Sequence, residues 1–224
     1  MSAPYAEIDG VTLYLGDCLE VTEWLAADVL VTDPPYGMAY DSGWVKGRTR
    51  PIANDHDPAV RDAALAIWGA RPGIVFGTWR APRPVNASQV CVWDKTDGVG
   101  PGMGDLSSAF GSSHEEFYVI GSWKRPGGIP RQGSVLRSAL AMGGQTGLAA
   151  SAGHPTPKPV ALMERIIEAC PPSVIADPFA GSGSTLIAAR NLGRRAIGVE
   201  IEERYCEIIA ERLAQGCLDL EGAR

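Results

Sequence analysis

Two short runs carry the residue types that chemistry needs. Asp33-Pro34-Pro35-Tyr36 sets a carboxylate, two locked backbone positions and an aromatic ring side by side. Proline fixes φ and pushes the residue before it into extended backbone, so the Asp33 carboxylate and the Pro34 carbonyl form two acceptors held in advance. Such a pair suits a planar exocyclic amine. That nitrogen is a poor nucleophile because its lone pair is delocalised into a ring. Acceptors on its hydrogens draw it toward tetrahedral geometry and absorb the charge that develops as it reacts. Tyr36 adds a flat face for stacking.

The second run is Asp177-Pro178-Phe179-Ala180-Gly181-Ser182-Gly183-Ser184-Thr185. Gly181 and Gly183 allow a tight turn and a close approach of backbone to ligand. The helix that follows favours negative groups at its start. Glu200 stands 19 residues beyond Gly181, about where a dinucleotide fold places the acid that grips ribose hydroxyls. A nucleoside cofactor is the implied ligand. A Walker loop needs Gly-Lys-Ser/Thr, and the chain has no Gly-Lys pair. A dinucleotide loop wants a third glycine where Leu186 stands, which counts against a dehydrogenase.

The elements that must position these runs can be read from hydrophobic patterning. Apolar runs at Val11 to Leu15, Asp28 to Thr32, Gly73 to Gly77, Gln89 to Trp93, Glu116 to Ile120, Val174 to Ala176 and Arg195 to Val199 read as strands. Pro58 to Trp68, Pro157 to Ala169, Ser184 to Leu192 and Glu203 to Ala214 read as helices. Strands alternating with helices imply an α/β fold with a doubly wound, mostly parallel sheet and ligands at the carboxyl ends of its strands. Both runs sit at such ends.

Together the two runs resemble the amino-methyltransferases of DNA, which move a methyl group from S-adenosylmethionine to an exocyclic base nitrogen. Their order, amine site first and cofactor site last, resembles the circularly permuted β class. The resemblance covers roughly Val11 to Leu213. It implies a seven-stranded sheet of the S-adenosylmethionine-dependent methyltransferase type in permuted order. It implies that Asp33, Pro34, Pro35 and Tyr36 are catalytic. On the cofactor side it implies Asp33, Asp177, Phe179, Ala180, Gly181, Ser182 and Gly183, with Glu200 on the ribose hydroxyls. His154-Pro155-Thr156-Pro157-Lys158-Pro159 resembles the family's segment upstream of the cofactor loop, which brings Lys158 toward the methionine carboxylate. Pro157 stands where the family usually has Gln, so that Gln side chain is missing. Leu15-Gly16-Asp17-Cys18 resembles the segment that hydrogen-bonds the adenine through Asp17 and Cys18. A cap for the following turn is the other reading of Asp17. Val92-Trp93-Asp94-Lys95 and His114-Glu115-Glu116-Phe117 resemble the family's middle strands, where Lys95 and Glu115 either shape the base pocket or form a structural ion pair.

Within the family, Asp in the first motif is commoner among adenine-N6 enzymes and Ser among cytosine-N4 enzymes. Site-specific adenine-N6 methylation of DNA is therefore the expected activity, with cytosine-N4 methylation as the alternative and a non-catalytic DNA-binding relic as a third reading. Cytosine-C5 chemistry needs a Pro-Cys nucleophile, and no Pro-Cys pair occurs. Related protein-glutamine methyltransferases carry Asn in place of this Asp. A base inside a duplex cannot reach such a pocket, so the target must be flipped out or single-stranded. Tyr40, Trp44, Lys46, Arg48 and Arg50 follow the first motif in a loop suited to covering a flipped base or holding phosphates; an ordinary surface loop is the bland alternative.

Bulk properties bound the rest. The 224 residues, 45% hydrophobic and 21% charged, fit one globular domain spanning 1–224. A small target-recognition insertion is expected at about 121–153. The net charge of −6 argues against a general polyanion binder, but the distribution is uneven. No acid occurs from Phe117 to Met163, where Lys124, Arg125, Arg131, Arg137 and Lys158 fall. Lys124, Arg125, Arg131 and Arg137 are therefore candidate DNA contacts. The five cysteines are scattered without ligand or redox spacing, so no metal is expected. No apolar run is membrane-length and no signal-peptide pattern opens the chain, so the expected location is the cytoplasm. A monomer or homodimer, with or without a separate cognate nuclease, fits the family.

Overall fold

The computed structural model describes residues 2–37, 57–96, 100, 107, 109–138 and 157–221, with side chains to residue 215. Its frame is one nine-stranded sheet. In chain order the strands are β1 (Ala6–Ile8), β2 (Val11–Leu15), β3 (Val29–Thr32), β4 (Gly73–Gly77), β5 (Ala87–Asp94), β6 (His114–Ile120), β7 (Val135–Arg137), β8 (Ile175–Asp177) and β9 (Ala196–Glu200). The helices are α1 (Ala59–Trp68), α2 (Val160–Glu168), α3 (Ser184–Asn191) and α4 (Glu203–Glu221), preceded by a 3-10 turn at Glu23–Ala26.

Continuous apolar runs mark strands covered on both faces. β3 and β4 follow that rule and are buried at every position. Across the sheet the order is β1-β2-β9-β8-β3-β4-β6-β5-β7. β2, β9, β8, β3 and β4 are mutually parallel, and β6 runs antiparallel between β4 and β5. The β8–α3–β9 unit leaves the centre in one direction and β3–α1–β4 in the other, so the topological switch lies between β8 and β3. All seven strands expected from the sequence form. Two three-residue edge strands, β1 and β7, extend the sheet to nine because so short a segment shows no period of its own.

Alternate strand residues feed two separate cores. On one face Val29, Val31, Ile74 and Phe76 pack with Leu162, Met163, Ile166 and Ile167 of α2 and with residues of α3 and α4. On the other, Leu30, Val75, Ala176 and Val199 pack with Ala64 and Trp68 of α1 and with Trp24. Trp24 and Trp68 stack with ring centroids 5.7 Å apart. Each fully buried aliphatic side chain contributes about 1.5–3 kcal/mol, so the sheet is held from both sides. Among the described residues no helix is long and apolar enough to cross a membrane.

Residues 121–138, the described half of the segment expected to be an insertion, return to the main sheet. β7 pairs in parallel with β5, Leu136 is buried, and Trp123 Nε1 donates to the Ala169 carbonyl at 3.0 Å.

Candidate active site

Strand direction gathers the chemistry at one edge of the sheet. The carboxyl ends of β2, β9, β8, β3 and β4 deliver Asp17, Glu200, Asp177, Asp33 and Trp79 to that edge. Because β6 is antiparallel, its amino end arrives there too. Gly77 pairs with Glu116 and Asp94 with His114, which sets Glu115 and Lys95 on the same rim. These residues line a cavity of about 310 Å³, within the range of small-molecule clefts.

At the β8–β9 end, Gly181 and Gly183 both take positive φ, +52° and +81°. A Cβ at Gly183 would stand 2.8 Å from Ile209 Cγ1 of α4, so the turn fits against α4 only without a side chain there. The turn lets the Gly181 N–H donate to Glu200 Oε2 at 2.7 Å, while the Glu202 N–H donates to Oε1 at 2.9 Å. Glu200 is thus held in one orientation. Burial pushes its carboxyl up to about 7, against the pull of those two donors. Asp177 is buried likewise, and burial pushes its carboxyl up to about 6. Its Oδ1 accepts from Thr32 Oγ1 at 2.6 Å and from the Phe179 N–H at 3.2 Å. Asp17 Oδ1 accepts from the Leu19 N–H at 2.8 Å, the capping geometry allowed for in the sequence, and Asp17 also lines the cavity. Cys18 beside it is buried, which raises its thiol to about 12 and keeps it neutral.

At the β3–β6 end, Asp33 is the hub. Its Oδ1 accepts from the Tyr36 hydroxyl, and its Oδ2 lies 2.5 Å from Lys158 Nζ. Lys158 is buried and also stands 3.1 Å from Glu115 Oε2, an ion-pair distance without hydrogen-bond geometry. Lys95 Nζ donates to the other Glu115 oxygen at 3.0 Å. Two ammoniums and two carboxylates therefore alternate across the ends of β3, β6 and β5 and the entry to α2. Burial works against the Lys158 charge, but Asp33 and Glu115 outweigh it and hold its pKa above the ordinary lysine value. For Glu115, burial raises the carboxyl, but Lys158 and Lys95 together win and lower it. For Asp33 burial wins: its carboxyl lies above the ordinary range, with Lys158 opposing the shift and Glu115 adding to it. Lys158 Nζ also sits 5.0 Å from the Phe76 ring centroid and 5.9 Å from that of Tyr36.

The structure thus brings Asp17, Cys18, Asp33, Pro34, Pro35, Tyr36, Lys158, Asp177, Phe179, Ala180, Gly181, Ser182 and Glu200 around one cavity. Gly183 lies behind it, as the turn residue under Ile209. The Lys158 ammonium meets Asp33 and Glu115. Lys124, Arg125, Arg131 and Arg137 are exposed, and Arg137 Nε lies 3.6 Å from Asp94 Oδ2. Tyr40, Trp44, Lys46, Arg48 and Arg50 lie outside the described residues, as do His154, Pro155, Thr156 and residues 139–153. Thr32, Trp79 and Arg80 are among the residues that the sequence reading did not single out. Thr32 was absorbed into its strand. Trp79 and Arg80 line the cavity, and Trp79 is 69% exposed with the Arg80 guanidinium 5.2 Å from its ring centroid. Their signal was present: they follow the end of β4 after Thr78, close to the strand-end position that marked Asp33. Among the described residues no group of three or more His, Cys, Asp or Glu is disposed to hold a metal ion.

Comparison with known proteins agrees with this geometry. A DNA methylase family model matches residues 27–211. The protein YubD of Escherichia coli (strain K12) is 49% identical over 218 residues, covering 89% of this chain and 88% of that one. The type II methyltransferase M.ScaI of Streptomyces caespitosus is 28% identical over 257 aligned positions, covering 95% of this chain and 84% of its own. Among solved structures, the M1.HpyAVI–SAM complex matches with a TM-score of 0.59 at 22% identity, over 90% of this chain and 99% of that one. The cytosine-N4-specific PvuII DNA methyltransferase matches with a TM-score of 0.58 at 14% identity, over 93% of this chain and 89% of its own. The fold is that of the S-adenosylmethionine-dependent methyltransferases, and the chain belongs to the DNA methylase family that acts on exocyclic N6 or N4 nitrogens.

Proposed function

We propose that this DNA methyltransferase uses S-adenosylmethionine to methylate the exocyclic N6 of adenine in a base flipped out of the duplex. The observation that carries this reading is the meeting of the two motifs in one cavity, with Asp33 and Asp177 on neighbouring strands. The residues present fit the cofactor. Glu200 is a buried carboxylate oriented by two backbone donors, as a ribose diol requires. Asp17 and Cys18 line the cavity as candidates for the adenine, and Asp177 to Ser182 line it as well. When bound, the cofactor supplies an electrophilic methyl group on a sulfonium.

The chain's own groups do the remainder. Asp33 and the Pro34 carbonyl accept the hydrogens of the target amine, and Asp33 is the adjacent acceptor for the proton that the amine sheds on methylation. The Tyr36 hydroxyl fixes Asp33 from one side, and Tyr36 lines the cavity that would take the base. Lys158 fixes Asp33 from the other side. The Asp in Asp33-Pro34-Pro35-Tyr36 favours adenine over cytosine. Trp79 and Arg80 at the mouth, with exposed Lys124, Arg125, Arg131 and Arg137, supply aromatic and basic groups for the nucleic acid.

The test is methylation of unmethylated genomic DNA with labelled S-adenosylmethionine, wild type beside Asp33→Ala, with the modified base identified by mass. N6-methyladenine from the wild type and none from the variant is the expected result. N4-methylcytosine would overturn the base assignment and keep the rest. No transfer, despite measured cofactor binding, would overturn the activity.

A further inference from the structure

The arrangement around Lys158 raises a problem of charge. A site that takes a sulfonium and a reacting amine must accept positive charge. Asp17, Asp177 and Glu200 line the β8–β9 end of this cavity, but its β3–β6 end is lined by two lysine side chains, Lys158 and Lys95, with side-chain exposures of only 6% and 17%. Asp33 by itself balances one of them. An unbalanced ammonium at this depth, where water screens poorly, would repel any cationic ligand entering the same cavity.

We propose that Glu115 is an electrostatic positioning residue: it supplies the second carboxylate against Lys158 and Lys95, so that a cationic methyl donor meets a neutral cluster rather than a positive one at the β3–β6 end of the cavity. The geometry is specific. Glu115 Oε2 lies 3.1 Å from Lys158 Nζ and Oε1 lies 3.0 Å from Lys95 Nζ, while Lys158 reaches Asp33 at 2.5 Å. The four groups come from four separate places in the chain, so no single element keeps them together. Only the antiparallel entry of β6 brings the Glu115 carboxylate to the edge where parallel strands deliver Asp33 and Asp177. The arrangement also preserves Asp33 as an acceptor. With Glu115 present, Lys158 is shared between two carboxylates; without it, the whole ammonium would bear on Asp33.

A structural ion pair and an electrostatic device differ in one observable. S-adenosylmethionine and S-adenosylhomocysteine share every group except the methyl on sulfur and the sulfonium charge it brings. Loss of packing weakens both alike, whereas a change in the charge of that cluster alters only their ratio. This inference rests on the cofactor reading above. The experiment is calorimetric titration of both ligands into wild type, Glu115→Gln, Lys95→Met and the double variant. Glu115→Gln, which leaves that cluster positive, is expected to lower the preference for the sulfonium on the order of tenfold. Lys95→Met, which leaves it negative, is expected to raise that preference. The double variant, neutral again, is expected to return to within about threefold of wild type. Ratios unmoved in both single variants would overturn the proposal. Lys95→Met alone decides the matter if Glu115→Gln does not fold. Wild-type protein that binds neither ligand would instead overturn the cofactor reading, and this inference with it.

Discussion

Thr32 donates a 2.6 Å hydrogen bond from Oγ1 to Asp177 Oδ1, joining the last residue of β3 to the last residue of β8. These strands flank the topological switch. The bond therefore ties the strand that carries the amine motif to the strand that carries the cofactor loop. Asp177 is 2% exposed and Thr32 is 1% exposed, so no solvent substitutes for the bond if it is lost.

Replacing Thr32 by Val keeps the shape and removes the donor. A buried carboxyl already pushed up to about 6 would be raised further. The expected loss is about 1–3 kcal/mol of folding stability, measured by urea denaturation. Cofactor affinity should fall with it. An unchanged midpoint would mean that Asp177 is satisfied by its other donors.

Burial of Glu200 and Asp177 makes the free protein pH-sensitive. Both carboxyls titrate higher in the folded protein, about 7 against 4.5 for Glu200 and about 6 against 3.8 for Asp177. The folded state thus prefers their protonated forms. Their stability contribution is complete below the ordinary carboxylate pKa and is lost as pH rises through about 6 to 7, each by up to about 3 kcal/mol. Glu200→Gln should flatten the Glu200 part of this profile. Ribose hydroxyls donating to Glu200 favour its ionised form, so cofactor binding near pH 6.5, roughly midway in that window, should release protons. Calorimetry in buffers of different ionisation enthalpy reads that release directly, and its absence would detach Glu200 from the ligand.

Gly183→Ala combines two costs, a left-handed backbone at φ +81° and a Cβ 2.8 Å from Ile209 Cγ1. Together these should cost about 1–3 kcal/mol. A second change, Ile209→Ala, removes both γ carbons that a Cβ at Gly183 would meet; measured against Ile209→Ala alone, Gly183→Ala should then cost only the backbone share. No residual cost in that background would show that backbone strain contributes nothing.

Trp79→Ala should leave thermal stability unchanged, because the side chain is 69% exposed. If the ring stacks on a base, the KM for DNA should rise by about 1–3 kcal/mol of lost stacking, with Phe restoring most of it. A KM within about twofold of wild type would remove Trp79 from the DNA interface.

Much of this molecule is local, and so legible without coordinates. Asp33 and Asp177 each end an apolar strand run, and a strand end is a local property. Proline at 34 and 35 and glycine at 181 and 183 act through their own backbone torsions. Composition, alternation of strands with helices and the Asp177–Thr185 string therefore determined the α/β class, the two motifs and the family they resemble. Tertiary structure decided what depends on pairing direction. No pattern in β6 says that it enters antiparallel, yet that reversal brings Glu115 against Lys158 and Lys95. Nor does any pattern assign Lys158 to Asp33, 125 residues away. Long-range ion pairs carry no sequence period, because the burial that makes them strong is created only when the chain has closed around them.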